Sequence, residues 1–397
     1  MKKLILATAM LSALPLVAQA QEAQNDPNAK NVFTVVKELG RSSIKNQANS
    51  GTCWSYSGQG FFEEELIRTG KSAYDLSEMF VVSHSYRDKG RKYVRLDGHL
   101  NFEQGGSFYD VLYVLKHYGA VPRNTMLGLN YGTTNNQHNE LAAVLKAYLK
   151  AVIEKPNGKL STAWATGFDS IIDSYLGKLP EKFRYNGKEY TPKSYAAELG
   201  LKPEDYVSLT SYTHHPFYTK FALEIPDNWR WAESYNLPID ELMEVMDTAI
   251  DKGYTFAWGA DVTEKGFTRN GLGVLADVAE MNNKGSDFAR WFGSAANNNM
   301  DAAIQRADVP EVEPTQEYRQ MGYDNKTLTD DHGMTIYGKA VNQNGRKFFM
   351  VKNSWGESGA YKGVWYVSYN YAKGRTMNIL IHKDAVPKHI AKKLGLK

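Results

Sequence analysis

The chain has one cysteine, Cys53, which stands between Asn46-Gln47-Ala48-Asn49-Ser50-Gly51-Thr52 and Trp54-Ser55-Tyr56. No proline follows from Trp54 to Ile67, and Tyr56, Phe61, Phe62, Leu66 and Ile67 supply apolar contacts before Thr69-Gly70-Lys71, so the thiol opens a helix. The positive end of the helix dipole lowers a thiol's pKa below its free value of about 8.5, and the thiolate is the form that attacks carbonyls. Most lone cysteines are buried and inert; company sets this one apart. Gln47 lies six residues upstream, and Asp331-His332-Gly333 and Lys352-Asn353-Ser354-Trp355-Gly356 lie far downstream. A nucleophilic cysteine needs a partner imidazole, a group that orients the imidazole, and a donor for the oxyanion. Cys53, His332, Asn353 and Gln47 fill these four roles, the first two as a thiolate–imidazolium pair. Asp331 adjoins His332, but neighbouring side chains on an extended chain diverge, so Asn353 is the orienter.

Such residues need elements to bring them together. The pattern predicts a second helix from Glu78, capped by Asp75 or Ser77 and ending near Arg87-Asp88-Lys89-Gly90, and a third after Gly105-Gly106-Ser107 that ends at Tyr118-Gly119. Further amphipathic stripes run from Glu140 to Glu154, from Trp164 to Leu176, and from Asp240 to Ile250. From Met334 the pattern turns to strands: Thr335 to Val341, an Asn344-Gly345 turn, Lys347 to Val351, then Gly363 to Ser368. The hairpin explains how His332 meets Asn353, although 21 residues separate them. Val32 to Leu39 reads as a short strand or ordered arm.

These residues resemble those of papain-like cysteine peptidases, and more closely the bleomycin hydrolase and aminopeptidase C branch. The resemblance runs in order through Gln47 to Trp54, Leu76-Ser77-Glu78, Gly105-Gly106-Ser107, Trp258 to Val262, Asp331 to Thr335, Asn353 to Glu357 and Ala385-Val386-Pro387. Ser50 and Thr52 depart from the papain signature, and His332 lies 279 residues beyond Cys53, where about 130–150 are usual. The resemblance implies an α+β, two-lobed papain-like fold, a helical lobe plus a β-rich lobe, with a large, mainly helical insertion at roughly 121–320. It further implies that Gly105 and Gly106 let a substrate backbone lie against the enzyme, that Trp355 shields the His332–Asn353 bond, and that the chain forms a homo-oligomer, a hexamer in that branch. The implied activity is hydrolysis of peptide bonds, with removal of N-terminal residues leading and endopeptidase or dipeptidyl-peptidase action as the alternative. The branch's tail beyond Val-Pro enters its own cleft; here only ten residues, Lys388 to Lys397, follow Pro387, and they are basic.

The start of the chain reads as an export signal. Met1-Lys2-Lys3 precedes an apolar run from Leu4 to Val17, and Ala18-Gln19-Ala20 fits the small-x-small cleavage rule, so residues 1–20 are expected to be removed and 21–397 to act in the periplasm or outside the cell. The run is too short for a membrane anchor. Removing Lys2 and Lys3 lowers the net charge from +3 to +1, which argues against a dedicated nucleic-acid binder, while 42% apolar residues suffice for a sizeable core. A catalytically silent binding protein is the other non-enzyme reading; the presence of all four candidate residues disfavours it. His214-His215-Pro216 hints at a metal. Adjacent histidines on an extended stretch point apart, so no metal or other cofactor is expected.

Overall fold

The computed structural model describes residues 30–72, 74–278 and 301–396, so the expected leader at 1–20 lies outside the described residues. Helix α1 (Cys53–Arg68) passes through the middle of the molecule, and every residue from Trp54 to Leu66 is buried. Its small residues let neighbours approach. A Cβ on Gly58 would lie 2.6 Å from Val111, and one on Gly60 would lie 2.9 Å from the Lys352 ammonium. Three consecutive glutamates survive burial because each meets a different cation: Glu63 meets Lys45 at 2.5 Å, Glu64 meets Lys352 at 2.6 Å, and Glu65 meets Arg68 at 2.7 Å.

Around α1 lie α2 (Glu78–Arg95), α3 (Phe108–His117), α4 (His138–Ile153), α5 (Ala163–Leu176) and α6 (Pro192–Leu199). They share one apolar core that includes Phe61, Phe80, Leu145, Phe168 and Tyr195. Ser77 caps α2, accepting from the Phe80 amide at 3.0 Å. The helix does not stop at Gly90. A Cβ there would sit 2.4 Å from the Phe168 ring, so the glycine serves packing of α5 against α2, and the next turns continue to Arg95.

The second core is built on a large sheet. Its strands are β1 (Phe33–Glu38), β4 (Tyr206–Thr210), β5 (Lys220–Ala222), β6 (Glu233–Asn236), β7 (Phe256–Ala260), β8 (Leu272–Gly273), β9 (His332–Asn342), β10 (Lys347–Lys352), β11 (Val364–Ser368) and β12 (Thr376–His382); β2 (Phe183–Tyr185) and β3 (Lys188–Tyr190) form a separate hairpin. The order is β5-β6-β4-β12-β7-β9-β10-β11-β8. β9 is the longest strand, and one edge serves two partners: His332 to Ile336 pair with β7, and Gly338 to Asn342 with β1. Its other edge carries the expected hairpin with β10, closed by Gly345 at φ +77. Trp258, Ile336, Phe349, Trp365 and Ile379 fill the core beneath, together with Val245 and Met246 of α7 (Ile239–Asp251). Further helices are α8 (Gln316–Asp324), α9 (Tyr369–Arg375) and α10 (Lys388–Lys393). Residues 121–320, expected as a mainly helical insertion, carry α4 to α7, the β2–β3 hairpin, and β4 to β8, all five of which belong to the main sheet. Among the described residues no helix is long and apolar enough to cross a membrane.

The Lys352–Glu64 pair ties the end of β10 to α1, and Lys352 also donates to Ser42 Oγ at 2.7 Å. Breaking a buried pair from one side strands the other charge, so Lys352→Met is expected to cost about 3–5 kcal/mol in urea unfolding. The double variant Lys352→Met/Glu64→Leu is expected to recover most of that loss. Equal destabilisation by single and double variants would deny the pair its role.

Candidate active site

At the head of α1, Thr52 caps only with its backbone, since its side chain makes no capping bond. The first amides of α1 are therefore open toward Cys53, and the amides of Gly333 and Trp54 act on its sulfur to favour the charged form. Burial acts more strongly the other way. With the nearby Asp330 and Asp227 adding to it, burial pushes the Cys53 thiol up to about 12. A helix N-terminus contributes about 0.3–1 kcal/mol, less than one pKa unit, and cannot reverse that.

His332 begins β9 and Asn353 directly follows β10, so the hairpin register brings them together. Asn353 Oδ1 accepts from the Ser354 amide at 2.7 Å, which fixes the oxygen's position, and from His332 Nε2–H at 2.7 Å. Nδ1 is thereby left without its proton, free to accept one. Trp355 stacks on the imidazole with ring centroids 4.6 Å apart. Burial pushes His332 down to about 4, with the Asn353 bond opposing. Desolvation at both groups opposes the thiolate–imidazolium pair expected from the sequence. The physical reason is burial, compounded at the sulfur by two aspartates. No direct hydrogen bond joins Cys53 Sγ to His332 among the described residues, and bonds of this type commonly tighten only once substrate is present.

Gly333 was not singled out by its sequence, yet it sets the spacing. A Cβ there would lie 2.7 Å from Ser57 Oγ and 3.4 Å from the Trp54 Cα, so only glycine lets β9 come this close to α1. Gln47 is held from both sides: Oε1 accepts from Ser354 Oγ at 2.6 Å, and Nε2 donates to the Ser50 carbonyl at 2.7 Å, leaving one N–H. Asp331 is bonded by Thr329 Oγ1 at 3.0 Å, and burial together with Asp261 raises it to about 6; it does not touch the imidazole ring.

A cavity of about 540 Å³ opens at this point, lined by Cys53, His332, Gly106 and Asp330 among others, with Gly395 and Leu396 of the tail in its wall. Gly106 abuts the Trp54 ring, where a Cβ would lie 2.7 Å away. Gly105, Gln47 and Trp355 are not in the cavity wall; Gly105 lies behind it against Asp227. Within the tail, Lys393 is paired with Glu241 at 2.6 Å.

His214 and His215 do not point apart. The chain bends there, and both imidazoles approach Glu224, at 3.2 and 3.6 Å. The three donor groups lie within 4.8 Å of one another. The rings are packed against Tyr323 and Phe221, and neither histidine is in the lining of the Cys53 cavity.

The model of the Peptidase C1-like family matches residues 71–396. The chain belongs to the Peptidase C1-like family. It is a cysteine peptidase of papain-like fold, and the family match begins downstream of Cys53, so the thiol's part rests on the geometry above. Aminopeptidase C of Streptococcus thermophilus is 22% identical over 420 residues, covering 93% of this peptidase and 86% of the relative. Aminopeptidase G of Lactobacillus delbrueckii subsp. lactis is 21% identical, covering 88% and 83%. The crystal structure of PepW from Lactobacillus rhamnosis superposes with a TM-score of 0.69 at 18% identity, covering 96% of this peptidase and 92% of that chain.

Proposed function

We propose that this cysteine peptidase removes residues from the free amino ends of peptides through a thioester on Cys53. The observation that carries the reading is the cavity: Cys53 and His332 share it, and the chain's own C-terminal Gly395 and Leu396 stand in its wall. Aminopeptidase names among relatives that span most of both chains support it. His332 Nδ1 takes the thiol proton as Cys53 attacks the carbonyl carbon. The Cys53 amide and Gln47 Nε2 hold the oxyanion. Collapse breaks the C–N bond, and His332 returns the proton to the leaving amine. Water then gives its proton to His332 as it attacks the thioester, and the thiol is restored. Export through residues 1–20 and assembly into a homo-oligomer belong to the same proposal; light scattering that gives only the single-chain mass would remove the second.

The test compares aminoacyl fluorogenic amides with their N-acetyl forms. A preference of about 100-fold for the free amine is expected, in line with the loss when a buried charge partner is missing. Equal turnover would favour endopeptidase action. Ile390 and Leu394 are buried, so a version that ends at Leu394 keeps both and loses only Leu396 from the edge of the core. Selectivity that survives this truncation puts recognition of the amino group elsewhere in the cavity.

A further inference from the structure

The cavity wall carries five acidic residues that the hydrolytic steps do not use, Glu204, Asp227, Glu233, Asp330 and Asp331, and of these Asp227 and Asp330 act on Cys53. Asp330 precedes His332 by two residues and lines the cavity; Asp227 enters from the loop between β5 and β6 and lines it too. A Cβ on Gly105 would fall 1.9 Å from Asp227 Oδ2, so glycine at 105 is what allows the carboxylate to lie against this backbone. Both aspartates act on the Cys53 sulfur, and Asp227 acts on Asp330. The three groups therefore share one space.

Their compensation is incomplete. Asp227 receives a long bond from Asn101, at 3.5 Å, and feels Lys89, whose ammonium is bonded to the carbonyls of Glu103 and Gly105. Asp330 has no cation and no hydrogen-bond donor among the described residues; its side chain is partly buried on the cavity wall, and desolvation first, then Asp227 and Asp331, push it up to about 8. Three lysines share this wall: Lys383 pairs with Asp205 at 3.0 Å, Lys220 lies over the Tyr235 ring, and Lys116 is exposed near the end of α3 and is not among the groups acting on Asp330 or Asp227. A partly desolvated carboxylate without a partner is stabilised when a cation binds beside it.

We propose that Asp227 and Asp330 form a subsite for an ammonium group of the peptide substrate, beside the carbonyl that Cys53 attacks. The inference rests on the aminopeptidase reading for its favoured ligand, the substrate's own α-ammonium. In an amino-terminal residue that nitrogen is about 2.5 Å from the carbonyl carbon, so its binding groups must lie close enough to the nucleophile to act on it, as these two do. A lysine side chain is the other source of the same chemistry.

The experiment uses the full chain, wild type and Asp330→Asn, Asp227→Asn and the double variant, on two substrate pairs. The first pair is a free and an N-acetylated aminoacyl amide. The second is an N-blocked dipeptidyl amide with lysine or norleucine before the residue at the cleaved bond. For the free amine, Asp330→Asn is expected to lower kcat/KM about 30-fold or more, mainly through KM, as loss of a buried charge partner does. The N-acetyl substrate is expected to change less than about 3-fold, and it also reports that the variant is folded. Selectivity should survive truncation at Leu394. If wild type cleaves blocked substrates, prefers lysine to norleucine, and loses that preference in Asp330→Asn, the aminopeptidase reading falls while the ammonium subsite stands. Substitutions that change both members of each pair equally, or change none, overturn the subsite.

Discussion

Cys53→Ala is expected to abolish peptide hydrolysis, by at least about 10⁴-fold in kcat, and His332→Ala is expected to do nearly as much, because nucleophile and base act as a unit. The two variants separate when the thiol itself is probed. Iodoacetamide labelling reads the thiolate fraction without needing turnover. With burial and two aspartates holding the free thiol near 12, thiolate is scarce at neutral pH and its share grows with each pH unit, so labelling of the empty enzyme is expected to climb from pH 6 to 9. That climb should persist in His332→Ala, whose imidazole, held near 4 by burial, is already neutral over the range in wild type. A labelling rate that is fast and level from pH 5 to 8 and collapses in His332→Ala would instead establish a resting ion pair. The single cysteine makes the measurement unambiguous, because no other thiol contributes.

Gln47→Ala is expected to lower kcat by about 10²–10³-fold with little change in KM, the usual loss when one oxyanion donor goes. The reasoning is geometric. Ser354 and Ser50 clamp the amide at 2.6 and 2.7 Å, so the remaining N–H is fixed before substrate arrives and costs no reorganisation during reaction. Because the same clamp joins the segment before α1 to the residue after Asn353, the urea midpoint must be followed alongside. Thiol labelling should be unchanged, as the sulfur keeps its surroundings. A variant with unaltered kcat would assign Gln47 to holding the two segments together and nothing more. Gln47→Glu is the sharper control: it keeps the size but sets a negative charge against the developing oxyanion.

The site was readable wherever local pattern and tertiary contact agree. The Asn344-Gly345 turn between two β-rich runs fixed the register that brings His332 to Asn353, and the proline-free run after Cys53 marked α1. Strands β4, β5 and β6 were not foreseen. They are three to five residues long, too short for alternation to register, and take their edges from β12 and from one another. Gly90 was read as a helix stop because its packing partner, Phe168, is 78 residues away. Asp227 carried no local signal, since its significance comes only from meeting Asp330 and Gly105 across the cavity. Adjacent Asp330-Asp331-His332 could have prompted the question earlier: two carboxylates beside an imidazole cannot all face away from one another.

The doubly shared edge of β9 bears on when the enzyme becomes active. Strand β1 pairs with residues that follow it by some 300 positions, and the same strand carries His332 at its head. Closing so long a segment must precede any reward from the pairing, and such non-local contacts form slowly. The helices around α1 can gather early from nearby sequence, but nucleophile and base meet only after the last third of the chain has been made and docked. A nascent chain therefore lacks an assembled active site. In refolding from urea, helical circular dichroism is expected to recover before peptidase activity, with tryptophan fluorescence from Trp258 and Trp365 in the sheet core tracking the later phase; simultaneous recovery of all three signals would contradict this order.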